Sequence, residues 1–129
     1  MTDYQSVYNN HYGGETYRFG VAYLRQEKED YEPDFYAGRY PSLDEQRKII
    51  ADLATKAQTI VIAEFVDNCG PIAVEDRLGL LRLLEFWRET HPQVMFAATD
   101  EVLSFNTKDN FAVEAKLELD ECPVIMTDR

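Results

Sequence analysis

Residues 59–66, TIVIAEFV, constrain the fold of this chain more than any other stretch. Every residue except Glu64 is apolar or β-branched, and Gly70 and Pro71 break the run soon after. Such a segment reads as a strand buried on both faces, the kind found inside parallel sheets covered by helices. The flanking sequence supplies that cover. Before it, Ser42 stands as a helix N-cap with Glu45 three residues on, and Ile49, Ile50, Leu53, Ala54 and Ala57 then share one face. After it, residues 76–89 place Leu80, Leu81, Leu84 and Trp87 at helical spacing, with Pro92 beyond the end.

Three more strands follow from the same reading: 17–25 (YRFGVAYLR), 94–98 (VMFAA) and 123–127 (PVIMT). Between the last two, Phe111, Val113, Ala115, Leu117 and Leu119 alternate with polar residues, which by period alone argues a strand. Ala, Glu, Lys and Leu dominate there, and parallel strands need a crossover, so the expectation for 107–120 is a helix. The sum is β-α-β-α-β-α-β. It predicts an α/β three-layer sandwich around a mostly parallel sheet of four to five strands. Residues 1–15, polar and aperiodic, are expected to form a flexible arm ahead of one domain over 16–129; residues 27–41 read as a loop.

Charge narrows the function. Twenty-four acids against 13 Lys and Arg leave a net charge of −11 over 129 residues. Nucleic-acid binding draws on neutralising phosphates with cations, so direct DNA binding by this chain alone is disfavoured, and a basic protein partner is the better match. No apolar window is long enough for a membrane span, and no hydrophobic leader opens the sequence; the expected location is the cytoplasm. Cys69 and Cys122 are too few and too far apart for a disulfide framework and read as reduced packing thiols. Nothing in the pattern calls for a cofactor.

In open α/β sheets the working site lies beyond the carboxyl ends of the strands. That crest should carry Arg25, Asp67 and the Asp100–Glu101 pair. A convergence of Glu64, Asp67, Asp100 and Glu101 would suit Mg²⁺-assisted phosphoryl chemistry, though acids at strand ends are common and this reading ranks low.

Several motifs in order resemble the catalytic domain of the serine recombinases, the resolvase/invertase family. Tyr23-Leu24-Arg25 resembles its Tyr-x-Arg opening, and Ser42-Leu43-Asp44-Glu45-Gln46 its Ser-Leu-x-x-Gln helix start. Val66-Asp67, then Asp76-Arg77-x-Gly79-Leu80 and Leu83-Leu84, resemble the block that follows, the most specific part of the match. The resemblance spans roughly residues 18–129 and implies a resolvase-like fold. In that chemistry a serine hydroxyl attacks a DNA phosphodiester while arginines hold the phosphate oxygens. Carried over, Arg25 and Arg77 would be phosphate-contacting, Gln46 would line the site, and Asp67 would orient the arginines, with Tyr23 beside them.

The departures fall on the chemistry. The nucleophile position, two residues after Arg25, is Glu27, and the family's Asp-Arg-Leu-Ser-Arg reads Glu101-Val102-Leu103-Ser104-Phe105. An acid facing a phosphate at about 4 Å repels it by roughly 1 kcal/mol in water and more near a protein surface. The sequence also ends with the fourth strand, so the family's long pairing helix is not expected in it. Ser42 and Ser104 read as a cap and a loop hydroxyl rather than as replacement nucleophiles, and Tyr31, Tyr36 and Tyr40 as aromatic packing. Structural roles are at hand for the rest: ion pairs with Asp67 or Asp76 for the two arginines, and capping or solvation for Gln46 and Asp44. The expectation is a recombinase-like domain without DNA cleavage, acting as an interaction or regulatory module toward a recombinase or other basic DNA-binding protein. The alternative is an enzyme on DNA phosphodiesters, either a recombinase fragment or a metal-dependent nuclease.

Overall fold

Strand β1, Arg18–Gln26, is buried from Phe19 through Arg25, as only a strand covered on both faces can be. The computed structural model describes residues 17–26, 41–68, 74–103 and 107–127, without the side chains of 107–109. The arm expected over 1–15 and the residues Glu27, Tyr31, Tyr36, Tyr40, Cys69 and Ser104 lie outside the described residues. After β1 come α1 (Leu43–Lys56), β2 (Thr59–Asn68), a 3-10 turn (Val74–Asp76) and α2 (Leu78–Thr90). Then follow β3 (Val94–Phe96), the short α3 (Asp100–Leu103), α4 (Thr107–Leu119) and β4 (Val124–Ile125).

The four described strands lie in the order β2-β1-β3-β4 and every pairing is parallel. Side chains of successive residues leave a strand on opposite faces, and here each set finds its own core. Ala22, Leu24, Val94 and Phe96 pack with Ile50 and Ala54 of α1. Val21, Tyr23, Met95 and Ala97 pack with Leu80, Leu83, Leu84 and Trp87 of α2 and with Val113 and Leu117 of α4. The result is helix, sheet, helix: the three-layer α/β arrangement that the sequence predicts.

Two expectations need correction. Strand β2 is not buried on both faces; it is the edge of the sheet, with most of its apolar residues half-covered and Ile62 exposed. Its apolar run is continuous because each face is partly covered by a helix, Ala63 and Phe65 on the α2 side and Val61 and Val66 on the α1 side, but only β1 flanks it and the cover is incomplete. At Ile62 the register with β1 slips, Gly20 pairing with Val61 and Val21 with Ala63, so Ile62 is the extra residue of a bulge. Helix α2 starts at Leu78 rather than at 76, which leaves Arg77 at the N-cap position. The segment whose alternation argued for a strand is helix α4, as composition indicated. Among the described residues no helix is long and apolar enough to cross a membrane.

Candidate functional site: a buried arginine–carboxylate core

Arg25 is the last buried residue of β1 and Arg77 precedes α2; both are wholly buried. Tyr23, Gln46 and Asp67, the other residues matched to the recombinase motifs, are buried with them.

Asp67 is the hub. It stands near the end of β2, and its carboxylate meets the start of α2, where helix N–H groups lack partners. Arg77, the N-cap, makes no side-chain capping bond. Asp67 does this instead: Oδ1 accepts the Gly79 N–H at 2.6 Å and Oδ2 the Leu80 N–H at 3.1 Å. The negative charge also sits at the positive end of the helix dipole. Close approach is what requires glycine at 79, since a Cβ there would meet Asp67 Oδ1 and the Val66 carbonyl oxygen at 2.8 Å.

Tyr23 donates its hydroxyl to Asp67 Oδ2 at 2.7 Å. Burial raises the phenol above its usual range, and the Asp67 charge and hydrogen bond add to this. Arg25 and Arg77 pull the other way without reversing it. Tyr23 is therefore held as a neutral hydrogen-bond donor to Asp67.

Gln46 lies on the inward stripe of α1 with Ile50 and Ala54. Its amide accepts the Arg25 main-chain N–H at 3.1 Å through Oε1, and its Nε2 donates to the Arg25 carbonyl at 2.7 Å. Nε2 also donates to the Pro41 carbonyl at 2.8 Å. Strand β3 pairs with β1 only from Gly20 to Ala22. Gln46 supplies the hydrogen bonds that a neighbouring strand would otherwise give Arg25. The helix-start reading of Gln46 as a solvated residue is thus corrected, while Asp44 is exposed and Ser42 caps α1 through the Glu45 N–H at 3.2 Å.

The guanidiniums point inward. Arg25 donates from Nη1 to the Val102 carbonyl at 3.3 Å, and Arg77 from Nη1 to the Leu103 carbonyl. Both acceptors belong to α3, whose last carbonyls have no partner within the helix. Sequence reading missed these contacts because a main-chain carbonyl leaves no residue-type signal. Asp76, one ion-pair partner considered for the arginines, is exposed.

The four acids considered for a cation are not brought together. Glu64 points to the α1 side and pairs with Arg47 at 2.7 Å, whereas Asp67 faces α2. Among the described residues no group of three or more His, Cys, Asp or Glu is placed to hold a metal ion.

The class follows from this architecture: the chain has the fold of the serine recombinase catalytic domains. Two solved structures carry the likeness. One is the C-terminal catalytic domain of ISC1926 TnpA, an IS607-like serine recombinase, at TM-score 0.61 and 18% identity over 84% of this chain and 69% of that one. The other is the N-terminal catalytic domain of TP901-1 integrase, at TM-score 0.63 and 16% identity over 84% of this chain and 76% of that one. At these identities the likeness is one of fold. No protein-family profile matches the chain, and no curated protein does.

Proposed function

We propose that this chain is a serine recombinase catalytic-domain-like protein that has given up DNA cleavage and serves as an interaction or regulatory module. The setting is DNA recombination or a mobile element in the cytoplasm, in keeping with the recombinase and the integrase whose domains share the fold. The observation that carries this reading is the burial of Arg25 and Arg77. A guanidinium that stabilises a phosphoryl transition state has to reach the phosphate oxygens. Here both are covered and both donate to peptide carbonyls of α3. Glu27 at the nucleophile position and a net charge of −11 act in the same direction. The partner this implies is a basic, DNA-binding protein, a recombinase among them, rather than DNA itself.

The experiment is a nicking assay on supercoiled plasmid with and without Mg²⁺. The expected result is intact plasmid in both conditions, unchanged by Arg25→Ala. Nicking that disappears in Arg25→Ala would restore the recombinase-fragment reading. Mg²⁺-dependent nicking that disappears in Asp67→Ala would restore the nuclease.

A further inference from the structure

Helix α4 has two apolar stripes on opposite sides. With 3.6 residues per turn, Val113 and Leu117 fall together, and both are buried in the core. Phe111, Ala115 and Leu119 also fall together, on the far side, and all three are exposed. Phe111 is 68% and Leu119 84% accessible, the two most exposed large apolar side chains among the described residues. Single exposed apolar residues are ordinary. Three at i, i+4 and i+8 on one helix are the spacing by which one helix reads another.

A row of acids runs beside this stripe. Glu114 and Glu118 on α4 and Glu121 just past its end line a shallow groove together with Leu117, Cys122 and Pro123. The helix is anchored from behind: Trp87 Nε1 donates to the Asp120 carbonyl at 3.0 Å, and Arg88 pairs with Asp120 at 2.9 Å. A second copy of this chain is a poor occupant. Two such faces would set Glu114, Glu118 and Glu121 against the same acids, on chains of net charge −11 each.

We propose that the outer face of α4 docks an amphipathic helix of a different, basic protein. The partner's apolar stripe covers Phe111, Ala115 and Leu119, and its Lys or Arg residues meet Glu114, Glu118 and Glu121. This rests on the reading of the chain as an interaction module and names the surface and the chemistry it selects.

The test is a fluorescence-anisotropy titration of the full chain with a synthetic helical peptide carrying a leucine stripe flanked by lysines. Binding is expected, weakening as salt rises. Phe111→Ser combined with Leu119→Ser should lower affinity about tenfold or more. So should Glu114→Lys with Glu118→Lys, and a peptide with glutamates in place of its lysines should not bind. All four positions are exposed, so circular dichroism of the variants should match the parent. No binding, or equal binding to the Phe111→Ser/Leu119→Ser variant, overturns the proposal. A homodimer dissociated by that same double substitution overturns it too, since a second copy would then be the occupant. DNA cleavage by the chain would sink the module reading whatever the peptide does; an inert chain that ignores the peptide sinks only this docking face.

Discussion

The Tyr23 hydroxyl is hydrogen-bonded at 2.7 Å to the same Asp67 oxygen that accepts the Leu80 N–H, so one carboxylate fastens β1, β2 and the start of α2 together. Tyr23→Phe removes the donor without changing shape and should cost about 1–2 kcal/mol. Asp67→Ala strips the cap from α2 and leaves the buried Tyr23 hydroxyl and the Gly79 and Leu80 N–H groups without their acceptor, at about 1–3 kcal/mol for each orphaned group. Urea unfolding curves check both, with the midpoint moving and the slope unchanged.

Gln46 is the second fastening. Gln46→Ala leaves the buried N–H and C=O of Arg25 without the amide that serves them, at about 1–3 kcal/mol for each orphaned group. Gln46→Glu keeps the acceptor but loses the donor, so it should also destabilise. A solvated helix-start glutamine would tolerate either change within about 0.5 kcal/mol. The same unfolding measurement separates the two.

Gly79 supplies a prediction of sign. In an exposed helix, Gly→Ala stabilises by about 1 kcal/mol. At position 79 the added methyl would press on the Asp67 carboxylate and the Val66 carbonyl. Gly79→Ala should therefore lower the melting temperature, and a rise would contradict the capping geometry.

Alkaline pH should weaken the fold. Burial, with the Asp120 charge adding to it, pushes the Cys122 thiol up to about 12. The unfolded thiol titrates near ~8.5 and an unfolded tyrosine near ~10. Above those values the unfolded chain loses protons that folded Cys122 and Tyr23 retain. Stability is then full below about pH 8 and falls as pH rises toward 12, by up to about 1.4 kcal/mol per pH unit for each proton. Unfolding at pH 8 and pH 10.5 should show the loss, with a smaller drop in Cys122→Ala. Native Cys122 should also resist alkylation at pH 8 until the protein is denatured.

The sheet and its helices were legible because near-continuous apolar runs mark strands between two helical layers, as in β1 and β3, and the 3.6-residue period marks the helix faces that cover them. The 111–119 alternation argued for a strand against the helix that composition favoured, and its origin is physical: two helical stripes, one inward and one outward, interleave to give a period of two. The edge position of β2 was not legible, since strand order depends on which strands meet and not on composition. Gln46 was readable from its phase with Ile50 and Ala54, although its polarity suggested solvent. What the arginines grip was invisible, because carbonyls of α3 are the same whatever residue carries them.

The proposal of lost cleavage rests on Arg25 and Arg77 being buried and donating to carbonyls of α3. Its most direct test is to incubate the chain with supercoiled DNA, quench with denaturant and look for protein covalently joined to a cut DNA end. The account predicts no such adduct under any salt or Mg²⁺ condition. An adduct that forms with the parent and vanishes on Arg25→Ala or Arg77→Ala would contradict it.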